Sequence, residues 1–371
     1  MPKIAVLISF SGAGGVERMV FNLVKQFGDK GVAVDLLLIR ASGPHLQDLP
    51  PQVNLVPLKA KHTLTAIPEL IRYFRKARPK QMLVAKDRAA RAALIARGLA
   101  GANTRIVVRL GTNLSRALEQ KTALSRWWRL APMKQIYSCA DAVVAVSEGV
   151  RQDTLAITAL PESRVHVIRN PVVTDELDRQ SHLAVEHAWL ADDIGSSNVP
   201  VVMAAGRLSY QKGFDVLIRA FAELVKQHPA RLLILGDGAS RGELEMLAQE
   251  LGVGELVDFP GFQSDIYSWL AKADLFVLSS RWEGSPNVLT EALALGVPSV
   301  STRCPSGPDE ILQEGKYGAL VEVDDWQAMS KAMLDTLDNP KPREFLQEAV
   351  FEYKDTISAE RYLNLLLDNK P

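Results

Sequence analysis

The chain has little of what marks extracellular, metal-binding or membrane-spanning proteins. Its 371 residues include only two cysteines, Cys139 and Cys304, which offer neither a disulfide framework nor a zinc-binding spacing. No run of about 18 apolar residues occurs, so no transmembrane helix is expected. The apolar stretch before Ser11 is too short for a signal peptide and predicts a first strand. We therefore expect a protein of a reducing compartment, the cytoplasm.

The net charge of the chain is zero, but its charged residues are distributed unevenly. Residues 1–172 contain 26 Lys and Arg against 11 Asp and Glu, and the acidic excess lies in the remaining residues. The asymmetry indicates two domains, which a chain of this length also favours. The basic half could meet an anionic partner such as a membrane surface, a lipid phosphate or nucleic acid. Alternatively, the two halves attract each other.

Apolar runs alternate with helix patterns along the chain, which predicts parallel sheets covered on both faces. The expected strands are 3–10, 32–39, 81–86, 105–110, 141–147, 164–170, 201–206, 231–238, 256–262, 275–280, 298–302 and 319–323. The expected helices are 16–27, 64–77, 91–100, 182–191, 212–227 and 358–367.

The polar stretch 171–199 is predicted to connect two doubly wound α/β domains, 1–172 and 173–355. We expect these Rossmann-like domains to face each other across a cleft at the carboxyl ends of their strands. Residues 356–371 are expected to form a last helix that packs back on the first domain.

A glycine-rich loop follows the first strand and opens a helix at residues 11–17. Such a loop lets a phosphate approach the backbone at a helix N-terminus. It departs from the dinucleotide fingerprint because Glu17 replaces the third glycine, and the acid expected after the second strand is missing. An NAD(P)-dependent oxidoreductase is therefore disfavoured, and a tight turn without a ligand stays open.

Two later segments carry charged residues after strand ends. Arg207 and Lys212 come before or at the start of a helix, where two cations suit a diphosphate, although a solvated loop is the alternative. Glu283 lies in a loop and Glu291 in the next helix, so the two carboxylates could hold different parts of one sugar-containing ligand. The turn 303–312 forms either a wall of this site or only a structural turn.

Several segments together resemble the family 4 retaining glycosyltransferases, which have the GT-B fold. They are 12–17, 145–153, 167–172, 206–213, 233–238, 259–262 and 283–291. Residues 304–308 resemble bacterial members that build lipid-linked oligosaccharides, lipopolysaccharide and O-antigen, often from UDP-sugars. The resemblance implies transfer of a hexose or N-acetylhexosamine from a nucleotide-sugar to a lipid-linked or polysaccharide acceptor. The first domain would bind the acceptor and the second the donor.

The resemblance also implies roles for single residues. Arg207 and Lys212 would bind the donor diphosphate, Glu283 the transferring sugar and Glu291 the ribose. The donor would meet further residues mainly through main chain: Gly14, Gly15, Phe262, Gln263, Asn287, Val288 and Leu289. Because the sequence has no Asp-x-Asp pair, we expect neither a metal nor another cofactor.

The acceptor side departs from the family pattern. Many members carry a histidine in the segment that matches 107–116, where this chain has none. Arg109, Thr112 or Asn113 could supply the missing polar group. Rival functions are a nucleotide-sugar epimerase and a starch- or sucrose-type glucosyltransferase. Nucleic-acid binding is disfavoured because no known module is recognisable.

Residues 121–134 place Leu124, Trp127, Trp128 and Ala131 at helical spacing among cations, and 70–80 is also basic and aromatic. This mixture is typical of a helix at an anionic membrane surface, here the inner face of the plasma membrane. A core-facing stripe on an ordinary helix is the alternative.

Overall fold

The computed structural model describes residues 3–9, 15–39, 49–119, 121–190 and 199–367. The chain divides into two compact units, which we call unit 1 (Met1–Val172 with Tyr353–Pro371) and unit 2 (Val173–Glu352). The chain therefore passes from one unit to the other twice, after Val172 and after Glu352. Within the described ranges, no helix combines the length and the apolar character that crossing a bilayer requires.

Unit 1 contains a parallel sheet of seven strands. These are β1 (Lys3–Ser9), β2 (Ala33–Ile39), β3 (Val53–Leu58), β4 (Gln81–Ala85), β5 (Arg105–Leu110), β6 (Ala142–Ala145) and β7 (Val165–Val167). Their order in the sheet is β3-β2-β1-β4-β5-β6-β7. Successive residues of β1 face two different apolar clusters, with Ala5 and Leu7 in one and Ile4 and Val6 in the other. Both faces of the sheet are therefore buried, as the apolar strands predict.

Unit 2 contains a parallel sheet of six strands. These are β8 (Val201–Ala205), β9 (Arg231–Leu235), β10 (Val257–Gly261), β11 (Leu275–Leu278), β12 (Ser299–Thr302) and β13 (Ala319–Val321). Their order is β10-β9-β8-β11-β12-β13. In each sheet the chain winds outward in one direction from its first strand and then in the other, so the predicted two-domain, doubly wound α/β class is confirmed.

The helices connect and cover these strands. In chain order they are α1 (Gly15–Asp29), α2 (Ile67–Ala77), α3 (Asp87–Ala100), α4 (Leu114–Ala117), α5 (Ala123–Tyr137), α6 (Glu148–Thr158), α7 (Asp175–Ser181), α8 (Phe214–Leu224), α9 (Arg241–Glu250), α10 (Ile266–Leu270), α11 (Asn287–Ala294), α12 (Pro308–Ile311), α13 (Trp326–Asp338), α14 (Arg343–Glu348) and α15 (Asp355–Leu367). Several begin after a side-chain cap that accepts a backbone N–H, namely Asn113, Thr122, Ser147, Thr174, Asp265 and Asp325.

The sequence analysis was wrong about the helix at 182–191. Residues 182–190 form turns and irregular chain, and a helix lies earlier, at α7. Thr174 caps this helix by accepting from the N–H of Leu177, and its first turn contains three acidic residues. His187 Nε2 lies 2.9 Å from Asp258 Oδ2, and Arg231 stacks on Trp189 at 5.3 Å. The described part of the predicted connection therefore packs on unit 2.

The sequence analysis also missed β3. Only Leu58 of its six residues is buried, and it contains Pro57, which lacks the N–H that an inner strand needs. It lies at the edge of the unit 1 sheet, where pairing on one side is sufficient. An edge strand of this kind does not produce the continuous apolar run by which the other strands were recognised.

Helix α15 belongs to unit 1, where a buried arginine holds it. Arg109 on β5 is 2% exposed and donates from Nη2 to Asn170 Oδ1 at 2.7 Å. It also hydrogen-bonds the hydroxyl of Tyr362 on α15, and burial raises the pKa of that hydroxyl to about 12. Asn170 precedes the first crossing of the chain and Tyr362 follows the second. Arg109 therefore ties both crossings to the unit 1 sheet.

The space that the Arg109 guanidinium occupies depends on the absence of a side chain at Gly111. A Cβ at position 111 would lie 2.4 Å from Arg109 Nη1. We expect Gly111→Ala to lower the free energy of unfolding by about 1–3 kcal/mol, because the guanidinium would have to leave its buried site. Urea unfolding followed by circular dichroism measures this change.

Gly98→Ala is the matched control, since Gly98 lies in α3 with nothing within 4 Å of its added Cβ. That change should be neutral or stabilise by up to about 1 kcal/mol, because alanine favours the helix. Equal effects of the two substitutions would contradict the close packing of Arg109 on Gly111.

Candidate functional site

Two neighbouring strands of unit 2 lead away from the middle of the sheet in opposite directions. From β8 the chain continues to β9 and β10 on one side, and it returns to β11 on the other side of β8. The loops that follow β8 and β11 therefore diverge at their carboxyl ends. In open α/β sheets this topological switch point is where ligands bind.

A buried ion pair joins these two loops. Lys212 Nζ lies 2.6 Å from Glu283 Oε1, and their side chains are only 17% and 9% exposed. Ser280 Oγ donates to the same carboxylate oxygen at 2.7 Å. The structure thus brings together two residues that the sequence predicted separately, a cation for the diphosphate and a carboxylate for the sugar.

The backbone of the two loops is joined as well. Ser279 Oγ donates to the carbonyl of Lys212 at 2.8 Å, and Gln211 Nε2 donates to the carbonyl of Trp282 at 2.9 Å. Gly213 has φ +62°, and a Cβ there would lie 2.1 Å from the carbonyl oxygen of Ser279. Only glycine lets the two loops approach this closely. Lys212 is therefore held in a defined position rather than on a solvated loop.

Helix α11 begins shortly after Glu283 and contains Glu291, which is 5% exposed. Of the three α11 residues predicted to meet the donor through main chain, Leu289 is fully buried, while Asn287 and Val288 are half-buried. Pro286 precedes the helix and provides no side-chain cap. The main chain at the start of α11 is thus the part that can face a ligand.

Two buried hydroxyls near Glu283 and Glu291 were missed by the sequence analysis. Ser285 Oγ and Thr290 Oγ1 are buried and have no hydrogen-bond partner among the residues that the structure describes. An unpaired buried hydroxyl is costly and calls for an explanation, such as a polar ligand that supplies the missing bond. Their signal in the sequence is weak, because serine and threonine are common in loops and at helix starts.

The turn 303–308 packs against the Glu283 loop. The backbone N–H of Glu283 donates to the carbonyl of Pro305 at 3.4 Å. Burial, with the nearby charge of Glu283, raises the pKa of the Cys304 thiol to about 12, so it stays protonated. The turn therefore lies beside Glu283, and this position fits both readings, a wall of a site and a structural turn.

Arg207 is exposed in the loop after β8, where its carbonyl accepts from Ser209 Oγ at 3.3 Å. Phe262 and Gln263 follow the edge strand β10, which β9 separates from β8. Phe262 is 58% exposed, and Gln263 Nε2 donates to the carbonyl of Pro260 at 3.0 Å. All three follow the carboxyl end of a strand, and Phe262 and Gln263 follow a strand two positions away from β8 in the sheet.

The predicted residues of unit 1 are more scattered. Gly14 lies outside the described residues, and Gly15 is the first residue of α1. Arg109 is buried as described above, and Thr112 is exposed. Asn113 caps α4 by accepting from the N–H of Arg116 at 3.1 Å. Arg109 and Asn113 thus have structural partners within unit 1.

The sequence analysis missed a second ion pair at the switch point of unit 1, between β1 and β4. Lys86 Nζ lies 2.7 Å from Glu17 Oε1, which is 2% exposed, and also donates to the carbonyl of Ser9 at 2.9 Å. Lys86 has φ 75°, a strained conformation for a residue with a side chain. The pair stabilises the start of α1 next to the glycine-rich loop.

Comparison with known proteins identifies the family of the chain. The family model described as glycosyl transferases group 1 matches residues 192–352, and the model described as glycosyltransferase family 4 matches residues 13–176. A lipopolysaccharide core biosynthesis glycosyltransferase from Rhizobium meliloti is 28% identical over 375 residues, which cover 96% of this chain and 97% of that protein.

A second relative is an N-acetylgalactosaminyltransferase from Campylobacter jejuni that acts on a diphospho-undecaprenol-linked saccharide. It is 31% identical over 208 residues, which cover 56% of this chain and 54% of that protein.

Two solved structures share the fold. A glycosyltransferase from Rickettsia africae has a TM-score of 0.80 at 18% identity and covers 100% of this chain and 99% of its own. The Anabaena protein HepE, solved with UDP and glucose, has a TM-score of 0.80 at 20% identity, and the match covers 99% of this chain and 100% of HepE. Together with the two family models, these matches show that the chain is a glycosyltransferase of the GT-B fold and belongs to glycosyltransferase family 4.

Proposed function

We propose that the protein transfers a hexose or N-acetylhexosamine, with retention of configuration, from a UDP-sugar to a lipid-linked or lipopolysaccharide acceptor. The buried Lys212–Glu283 pair at the switch point of unit 2 is the observation that carries the donor site. UDP as the nucleotide is supported by the UDP complex of a protein with the same fold. The acceptor class is supported by the names of the relatives from Rhizobium meliloti and Campylobacter jejuni.

Catalysis of this transfer requires positive groups where the leaving diphosphate gains charge. Lys212, with Arg207 beside it in sequence, would take that role in place of a metal ion. The bond from the sugar C1 to the β-phosphate oxygen breaks while the acceptor oxygen bonds C1 on the same face. The acceptor proton passes to the leaving phosphate oxygen.

The two glutamates would hold the donor on either side of the bond that breaks. Glu283 would accept hydrogen bonds from the hydroxyls of the transferring sugar, and Glu291 from those of the ribose. Without a donor, Glu283 neutralises Lys212 at 2.6 Å. A bound diphosphate would compete with this carboxylate for the lysine, which leaves Glu283 able to turn to the sugar.

A donor screen tests the proposed function. UDP-, GDP- and ADP-sugars are added to the protein, and the melting temperature is followed by thermal shift, because a ligand that binds only the native state raises it. We expect the largest rise with a UDP-sugar, and the same rise with EDTA or with Mg²⁺ present. No rise with any nucleotide-sugar would overturn the donor assignment, and a rise only with Mg²⁺ would overturn metal independence.

Changes at the ion pair should separate binding from turnover. Lys212→Ala should abolish turnover and weaken UDP binding at least about tenfold, because a charge-assisted contact is lost. Glu283→Gln should also abolish turnover but leave UDP affinity equal or a few times tighter, since the lysine loses its competing carboxylate. Calorimetric titration with UDP and product formation from UDP-sugar give the two quantities.

Lys226→Ala is the control, because Lys226 is an exposed residue just after α8 that pairs with Glu223 at 2.7 Å. It should change neither quantity. Weaker UDP binding in Glu283→Gln would show that the carboxylate supports the diphosphate site instead of competing for Lys212.

We also propose that unit 1 contacts an anionic membrane surface through α5. Leu124, Trp127 and Trp128 are 67%, 60% and 66% exposed, so they do not form the core-facing stripe that was the alternative. The two indole rings are perpendicular, with centroids 5.3 Å apart. Exposed aromatic residues among cations are typical of helices that insert at the lipid headgroup level.

The neighbouring helices extend the basic surface. Helix α3 packs against both α2 and α5. The exposed cations of the three helices are Arg72, Arg75, Lys76, Arg88, Arg126, Arg129 and Lys134. Their two acids are engaged, Glu69 by the N–H groups of Lys59 and Ala60 and Asp87 by Arg91. The surface is therefore suited to anionic lipids at the inner face of the plasma membrane.

Flotation with vesicles tests this contact. The protein should float at low salt with vesicles of phosphatidylglycerol and phosphatidylcholine, and not with phosphatidylcholine alone. Arg126→Glu with Arg129→Glu should weaken binding at least about tenfold, as should Trp127→Ala with Trp128→Ala. Met246→Ala removes a 60% exposed side chain from unit 2, and this variant should bind the vesicles as tightly as the wild type does. No flotation of the wild type would refute the contact.

A further inference from the structure

We propose that Arg281 is a positioning residue of the donor site, which holds the turn 210–212 so that Lys212 can meet the donor diphosphate. The inference rests on the proposed function, because it assumes that Lys212 binds a diphosphate. Arg281 follows β11 closely and lies two residues before Glu283. Nothing in its sequence context separates it from an ordinary surface arginine.

The guanidinium of Arg281 is bound on several sides. It pairs with Asp215 through two contacts, Nη1 to Oδ1 at 3.0 Å and Nη2 to Oδ2 at 2.7 Å. Its Nε donates to Asp324 Oδ1 at 2.8 Å. Its side chain is 10% exposed, so a flexible surface cation would not account for these contacts.

The same residue grips the turn 210–212 at three points. Nη1 donates to the carbonyl of Tyr210 at 2.8 Å, and the guanidinium lies 4.1 Å from the centroid of the Tyr210 ring. The backbone N–H of Arg281 donates to the carbonyl of Gln211 at 2.8 Å. The next residue along this turn is Lys212, whose side chain reaches Glu283.

The partners of Arg281 come from two separate segments: the stretch 210–215, which contains the turn 210–212 and the first turn of α8, and the turn after β13. A planar guanidinium can bind a carboxylate by two parallel bonds and stack on an aromatic ring at once, whereas an ammonium group cannot. The geometry therefore indicates that Arg281 holds the Lys212 turn against α8 and the turn after β13. Its guanidinium is already engaged by Asp215, Asp324 and Tyr210, which favours positioning over direct contact with substrate.

The test measures the affinity for UDP by calorimetry in the full chain. Arg281→Ala should weaken UDP binding about tenfold, and Arg281→Lys should restore little of it. Asp215→Asn and Asp324→Asn each remove one partner at a half-exposed position, so they should fold and give smaller losses of a few fold. A melting curve of each variant shows that the protein remains folded.

Arg151→Ala is the matched control. Arg151 in unit 1 also binds two carboxylates, Glu148 at 2.9 Å and Glu162 at 3.2 Å, and one carbonyl, that of Val165 at 3.2 Å. Its loss should lower the melting temperature to a similar extent without changing the affinity for UDP. Such a result separates positioning from a general loss of stability.

A double-substitution cycle decides how Arg281 acts. If it acts through Lys212, Arg281→Ala should weaken UDP binding less than about twofold further in a Lys212→Ala background. Equal losses in both backgrounds would overturn the proposal, because Arg281 would then act independently of Lys212. Unchanged UDP affinity in Arg281→Ala would also overturn it. If the wild type binds no UDP, the proposed function fails instead, and this inference falls with it.

Discussion

The ion pair between Lys212 and Glu283 is the constraint around which unit 2 is organised. Placing two charges where their side chains are less than one-fifth exposed costs desolvation, which a single salt bridge repays poorly. The surrounding loops reduce the cost, because Ser280 donates a further bond to the carboxylate and Ser279 fixes the main chain of Lys212. A buried ion pair that is costly for stability and lies at a topological switch point is best explained by a role in ligand binding.

Strand order, rather than sequence proximity, makes this pair. The residues are 71 positions apart, and they meet because β11 returns to the side of β8 that β9 leaves free. From the sequence, each residue could be predicted as functional on its own, since each follows a predicted strand end. The direct contact could not be predicted, because it depends on which strands are neighbours. It also depends on Gly213, since the two loops lie too close together for a side chain at that position.

Predictions from the sequence were wrong where segments far apart along the chain decide whether a residue is buried. Arg109 looks like a solvent-facing cation in an acceptor site, yet its neighbours in space are Asn170 and Tyr362, far along the chain. Helix α7 was displaced in the prediction because a polar stretch between two domains resembles a linker, although α7 packs on α10. The periodicity of apolar residues indicates which residues face a core. It does not indicate which buried polar groups find hydrogen-bond partners there.

The two cations near the proposed donor site, Arg281 and Lys212, are held in different ways, and the difference follows from their surroundings. Arg281 is compensated by Asp215 and Asp324, carboxylates that are 45% and 52% exposed, so its network loses little hydration. Lys212 is compensated by a carboxylate that is itself buried. Under the proposed function, a diphosphate that replaced this carboxylate would bring the same sign of charge, so the lysine could be positioned in advance without remaining unpaired.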